Sequence, residues 1–398
     1  MTDYLALARD LSGELAGLRH AFHREPELGN REFRTAEKIE AYLRACGIPA
    51  RRLLDTAVVG RLEGGLPGPC VALRADMDAL PLQEATEAPC ASQVPGVMYA
   101  CGHDVHMAAV LGAARLLAGR RETLRGSVAF LFQPDEEGNG GAERMIAAGA
   151  LQGVDAVFGA HVSPDLPAGH AAVRYGKFYA ASDTFRVTVT GRSAHGAERE
   201  KGIDALAAAA RMVTAALSLP QALAGEKSVV SVGTLHAGTA GNILAGSAEF
   251  SGIIRTLGPR ARAEMRARFE ETMNALAKET GASVQCALRA SYPGVVNDDA
   301  MTRLAEGAAR AVLGDGAVRV IEEPTMTTED FGYFLQAQPG SFYHIGAGCA
   351  LPLHNPGFLP DDGAAVTGAA LHAAVAEAFL NERGECEKPY STNPAHVL

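Results

Sequence analysis

The sequence predicts an α/β fold: a mostly parallel sheet with helices on both faces, into which an α+β segment of ferredoxin-like order is inserted. Three observations carry this. Apolar runs at 127–132 and 156–160 do not alternate, as expected of strands buried on both faces, and helical patterns separate them in a βαβ rhythm. Polar clusters (Asp76/Asp78, Glu136/Glu137 and His161) follow strand-like runs directly, and open α/β sheets place their sites at the carboxyl ends of parallel strands. Residues 178–292 then change to the order βαββαβ, the ferredoxin-like split motif. The expected division is 1–177 with 293–398 as one domain and 178–292 as the other.

In chain order, 3–22 reads as an amphipathic helix with Leu5, Leu11, Leu15, Leu18 and Phe22 on one stripe, ending where Glu25 precedes a proline. A second helix, 35–45, stops at Gly47. Strands are expected at 58–62 and 70–73, and a helix at 107–117 gives way at Gly119. A strand at 127–132, a helix at 142–148 and a strand at 156–160, ending in His161, follow. The inserted segment carries strands 184–189, 228–235, 248–255 and 283–290 and helices 203–217 and 260–279. A helix at 299–313, a short helix near 330–336, a strand at 342–345 and a helix at 364–379 complete the first domain. The polar, proline-containing residues 385–398 are expected to form a loose tail.

At 398 residues the chain suits two domains, and 47% hydrophobic with 21% charged residues places it among well-buried globular proteins. A net charge of -10 without a basic block argues against nucleic acid as a partner. The alanine-rich run 205–217 is broken by Arg211, and no apolar run of the roughly 18–20 residues needed to span a bilayer is apparent. The start, Met1-Thr2-Asp3-Tyr4, has an early acid and no basic segment, so no secretory signal is expected. Seven scattered cysteines, an odd number, fit reduced thiols in a cytoplasmic enzyme.

The chemistry concentrates in Ala100-Cys101-Gly102-His103-Asp104-Val105-His106. Cys101 alone reads equally well as a buried free thiol, and His103 alone as a structural histidine. Together, across a glycine that permits a tight turn, thiolate and imidazole suit a borderline cation such as zinc. His106 belongs to the following helix, and a packing role or support of a ligand is expected for it. Glu136 and Glu137 end a buried strand before a glycine-rich turn. Adjacent residues of an extended segment point apart, so one carboxylate can hold a cation while the other takes a proton from the attacking water. His161 and His354 each read as structural alone, and gain weight because a two-metal site needs about three ligands per ion.

Arg74-Ala-Asp-Met-Asp-Ala-Leu-Pro81, Ala100-Cys-Gly-His-Asp104, Gln133-Pro-Asp-Glu-Glu-Gly138, Thr328-Glu-Asp-Phe331 and Leu353-His354 occur in an order that resembles the M20 metallopeptidases, amidohydrolase branch. That branch includes hippurate hydrolase, plant auxin–amino-acid conjugate hydrolases and N-acyl-amino-acid deacetylases. The resemblance implies two divalent ions, zinc or manganese with cobalt or nickel as alternatives. Cys101 would bridge them, with His103, Glu137, His161 and His354 as the other ligands. Glu136 would be the general base, and Asp76 would orient a ligand histidine. It further implies that the inserted domain is a lid through which subunits dimerise. His195 would reach a neighbouring subunit's site and stabilise the oxyanion, and Asn242 and Arg255 would contact substrate. The implied substrate is an N-acyl amino acid or short peptide; a dipeptidase, an aminopeptidase or an N-acetyl-diaminopimelate deacetylase is the alternative. Two departures stand out: Glu198-Arg199-Glu200 where the branch often has Pro and His, and Asp135 where it has Ala.

Overall fold

The computed structural model describes residues 2–222 and 225–384; the expected tail at 385–398, with Cys386, lies outside the described residues. Two compact units divide the chain. The first comprises the residues up to Tyr175, Asn297–Ile321 and those from Phe334 onward; the second comprises Gly176–Val296 and Glu322–Tyr333. The described strands are β1 (Ala50–Leu53), β2 (Ala57–Glu63), β3 (Leu66–Asp76), β4 (Arg125–Gln133), β5 (Ala156–Ser163), β6 (Ala171–Val173), β7 (Gly176–Tyr179), β8 (Ala181–Thr190), β9 (Ser228–Ala237), β10 (Ser247–Thr256), β11 (Ser283–Ala290), β12 (Val295–Asn297), β13 (Val318–Val320) and β14 (Gly340–Gly346).

In the first unit eight strands form one sheet in the order β1-β2-β4-β3-β5-β14-β6-β13. The central neighbours β4, β3, β5 and β14 are parallel, while β1, β2 and β6 join antiparallel. All eight residues of β5 are buried, as befits a strand covered on both faces. Val71, Leu73, Phe130, Phe132 and Phe158 fill the core beneath the helices. Each such side chain, fully buried, contributes ~1.5–3 kcal/mol.

Register sets the site. Asp76 pairs with Gln133 at the ends of β3 and β4, and His161 pairs with His344 between β5 and β14. His161 therefore lies inside its strand, which runs on to Ser163, rather than beyond its end. Likewise the expected first helix is two, Tyr4–Asp10 and Ser12–His23. The last helix, Gly363–Gly384, contains a stretch, Gly363–Glu382, of mean hydropathy 1.4 that is long and apolar enough to cross a membrane. Of that stretch 83% is buried inside the protein, and Ala369, Leu371 and Val375 belong to the core.

In the second unit β8, β9, β10 and β11 form an antiparallel sheet in the order β11-β8-β10-β9, as in a βαββαβ motif. Helices Ala205–Ala222 and Pro259–Thr280 supply Met212, Met265 and Phe269 to a separate core with Phe185 and Phe250. The segment Glu322–Tyr333, expected within the first domain, clusters with this unit instead. Main-chain bonding explains it: Thr325 N–H donates to Phe178 O (2.9 Å) and Ala180 N–H to Thr327 O (3.0 Å).

Candidate metal centre

Helix His103–Ala118 begins four residues earlier than its apolar pattern implies, so His103 lies in its first turn rather than ahead of it. Gly102 caps it at φ 82°, and its carbonyl accepts from His106 N–H at 3.2 Å. A Cβ at Gly102 would meet Val162 Cγ2 at 2.5 Å, so both the left-handed turn and the close approach require glycine. This turn places Cys101 and His103 at one point.

The tautomers of the histidines follow from their partners. His103 Nδ1 donates to the Asp78 carbonyl at 2.8 Å, since a carbonyl can only accept. Its Nε2 is buried and without a hydrogen-bond partner. His161 Nδ1 donates to Val162 O at 2.7 Å, which turns its Nε2 lone pair toward Cys101 Sγ, 3.3 Å away. His354 Nε2 approaches the same sulfur at 3.3 Å from the other side of the sequence. The His354 nitrogen also lies 3.0 Å from Glu137 Oε1, an oxygen that is buried without meeting hydrogen-bond geometry. His354 is held at φ 63°, an uncommon conformation for a non-glycine residue, with its N–H donating to Ala100 O at 2.8 Å.

Potential ligand atoms fall into overlapping groups within 4.8 Å: Cys101/His103/His161, Cys101/Glu137/His354 and His103/Glu136/Glu137. Cys101 is shared by the first two. The site thus crowds together buried polar atoms that no hydrogen bond satisfies, among them His103 Nε2, Glu137 Oε1 and Asp78 Oδ1. Burial pushes the Cys101 thiol well up, and the Glu137 and Glu136 charges add to this. Burial would lower His103, but Asp76, Asp78 and Glu137 outweigh it and hold it at about 10. Burial, with His106 and His103 nearby, keeps His161 far below its usual value and so neutral. A divalent cation would replace the protons of Cys101 and His103, take the neutral His161 nitrogen and offset the carboxylate charge. The donor set of thiolate, imidazole and carboxylate fits such an ion.

Asp76 does not bond to any of the expected ligand histidines. Its Oδ1 accepts from His106 Nδ1 at 2.6 Å, while His106 Nε2 accepts from Val162 N–H at 2.9 Å. Both ring nitrogens of His106 are therefore occupied, and it fastens β3 to β5. Asp76 Oδ2 takes Arg74 NH1 at 2.7 Å, and Arg74 Nε donates to Gln133 at 2.8 Å. Burial would raise Asp76, but His103, Arg74 and His106 hold it well below the usual carboxylate range. The nearest approach of Asp76 to His103 Nε2 is 3.8 Å, too long for a hydrogen bond. Asp78 instead does the orienting: its carbonyl fixes His103, and its Oδ2 accepts from Glu137 N–H at 2.9 Å. The Asp-x-Asp spacing at a strand end was the available signal for it. Asp104 is engaged by His23 Nδ1 at 2.8 Å.

His195, Asn242 and Arg255 lie in the second unit. His195 and Asn242 are neighbours there: Gly196 N–H donates to Asn242 O at 2.8 Å, and Ala197 N–H to His195 Nδ1 at 3.2 Å. Arg255 NH1 donates to Ser182 Oγ. The departing residues after His195 form a short 3-10 turn, Arg199–Lys201, with Lys201 Nζ 2.5 Å from Glu198.

Near the cluster, Glu32 is fully buried and accepts from Thr56 Oγ1 (2.8 Å), Asn30 N–H (3.0 Å) and Asp135 N–H (3.0 Å). Burial, helped by Asp78, pushes it up to about 7 against the pull of these bonds. Its folded value thus exceeds its unfolded one, so its contribution to stability is full below about pH 4.5 and is lost as pH rises through about 7. Glu32→Gln keeps two acceptor contacts on one oxygen and removes the charge. In metal-free protein it is expected to raise Tm at pH 8 but not at pH 5, read by thermal denaturation across pH.

The model of peptidase family M20/M25/M40 matches residues 72–378. The chain belongs to this family. An M20 dinuclear metal-binding peptidase from Bacillus subtilis superposes with a TM-score of 0.85 at 34% identity, covering 94% of this chain and 99% of that one. Thermostable carboxypeptidase 1 of Saccharolobus solfataricus is 35% identical over 94% of this chain and 97% of its own length. N-acetyl-L-cysteine deacetylase of Bacillus subtilis is 34% identical over 94% and 90%. This M20 protein is a metal-dependent hydrolase of amide bonds.

Proposed function

We propose that this M20 protein cleaves the amide bond of N-acyl amino acids, releasing a carboxylic acid and a free amino acid. What supports the mechanism is the difference in surroundings of the adjacent glutamates. Glu137 belongs to the group with Cys101 and His354, whereas Glu136 does not, although both share the group with His103. Glu136 is therefore the proton carrier. It takes the proton of the attacking water and returns it to the leaving nitrogen. Cys101, His103, Glu137, His161 and His354 would hold two divalent ions, zinc or manganese, with cobalt or nickel as alternatives. When bound, these supply Lewis-acid polarisation of the carbonyl and acidify the water. His195, from a neighbouring subunit, would stabilise the oxyanion, and Asn242 and Arg255 would hold the substrate, the guanidinium taking its carboxylate.

The deacetylase relative supports an N-acyl substrate. The carboxypeptidase relative favours the second reading, a peptidase acting on short peptides. Release of free amine from a panel of N-acyl amino acids and unblocked dipeptides, with zinc, manganese, cobalt or nickel supplied, separates them. Turnover of N-acyl amino acids alone is expected; turnover of dipeptides alone would replace this reading with the second.

A homodimer through the second unit is proposed with it. Exposed Leu206 and Leu217 with Ala210 make an apolar stripe on helix Ala205–Ala222, and β9 is an edge strand with Leu235 exposed. Light scattering of the purified protein tests this. Free thiols at Cys46, Cys70, Cys90, Cys101, Cys286 and Cys349 support a reducing, cytoplasmic setting.

A further inference from the structure

Asp135 stands where the resembling sequences carry alanine, one residue before the proposed base. It does not face solvent: it is 4% exposed and adopts φ 59°. Aspartate tolerates this left-handed conformation better than alanine does. The conformation has a consequence for the next two residues. In an extended segment Glu136 and Glu137 would point to opposite sides. Here both carboxylates reach one group with His103. The chain turns over 136–139 instead of running on extended, and the left-handed Asp135 leads it from the strand into that turn.

The side chain of Asp135 holds that turn. Its Oδ2 accepts from Asn30 Nδ2 at 2.6 Å and from Arg144 NH2 at 3.0 Å, tying the turn to the 28–32 loop and to helix Ala142–Ala147. Its N–H donates to Glu32 Oε1 at 3.0 Å and its carbonyl accepts from Gly140 N–H at 3.0 Å. Oδ1 sits between two glycines: a Cβ on Gly29 would lie 2.3 Å from it, and one on Gly138 2.2 Å. The surroundings are shaped to receive this carboxylate.

We propose that Asp135 is a positioning residue that aims Glu136 and Glu137 into the metal cluster. The inference rests on the reading of Glu137 as a ligand and Glu136 as the proton carrier. A residue that supports a ligand in this way changes metal affinity or activity by about 10–100-fold when removed, whereas a loop staple changes only stability.

The test is a Co²⁺ titration of metal-stripped protein, read by d–d absorption, alongside kcat and KM. Asp135→Ala is expected to weaken Co²⁺ binding at least about tenfold, shift the band and lower kcat more than it changes KM. Asp135→Asn, which keeps the turn preference and the acceptor oxygen, is expected to restore affinity to within about threefold. A lowered Tm with cobalt affinity, band and kcat all near wild type would overturn the proposal. Should Asp135→Ala not fold, the pair Asn30→Ala with Arg144→Met removes the two side-chain donors, and the same changes or the same constancy decide. The cobalt readout does not depend on the amide cleaved. Wild-type protein that binds cobalt but hydrolyses no N-acyl amino acid overturns the substrate reading alone, and the cobalt comparison still judges Asp135. Wild-type protein that binds no cobalt overturns both.

Discussion

Glu136→Gln is expected to retain the full complement of metal and to lose about 10²–10⁴-fold in kcat. The amide matches the carboxylate in size, and Glu136 is only 7% exposed, so the substitution leaves packing intact. What it removes is a group that can accept a proton from water and surrender it to the leaving nitrogen. Because Glu137, and not Glu136, shares the group with Cys101 and His354, metal content should follow Glu137. Elemental analysis paired with steady-state kinetics makes the comparison. Near-normal kcat at full metal occupancy would remove Glu136 from the role of base.

Cys101→Ala is expected to lower metal occupancy at both positions, because Cys101 belongs to two of the ligand groups. Proton release provides a second measure. In the metal-free protein the Cys101 thiol is held well above its usual value, and His103 sits at about 10, so both are protonated at neutral pH. A cation that takes both must displace both protons. Affinity should therefore rise steeply from pH 6.5 to 8.5, by about two logarithmic units per pH unit in the wild type and about one in Cys101→Ala. Competition with a chelator of known protonation behaviour measures this slope. An equal slope in the two proteins would mean that the thiol does not ionise on binding.

The strands and helices that carry the candidate site were legible in the chain because secondary structure is encoded locally. Apolar runs leading toward Asp76, Glu136 and His161 announce strands of a buried sheet, though His161 lies within its strand rather than at its end. Glycine between Cys101 and His103 likewise announces a turn, and the structure uses it as the left-handed cap of the helix. The organisation of 178–292 as βαββαβ was readable for the same reason.

Which side chain meets which was not readable, because parallel strands bring together residues from distant stretches, and a bond depends on where a lone pair or proton points. Asp76 lies 27 residues from His103 and 30 from His106, so spacing does not separate the two. The decision came from Val162: its N–H occupies His106 Nε2, fixes the proton on Nδ1 and directs it to Asp76. His103 is thereby left to the Asp78 carbonyl, and its Nε2 has no hydrogen-bond partner. Asp135 gave no sign in sequence of being buried; two of its partners, Asn30 and Glu32, come from the 28–32 loop, about a hundred residues away. The main-chain bonds that draw Glu322–Tyr333 to the second unit are of the same kind. The amino-acid order alone determined the elements, the residues at their ends and the chemistry those residues could perform. Only the packed structure decided the pairing, because pairing depends on register and proton position, and both are set by contacts across the fold.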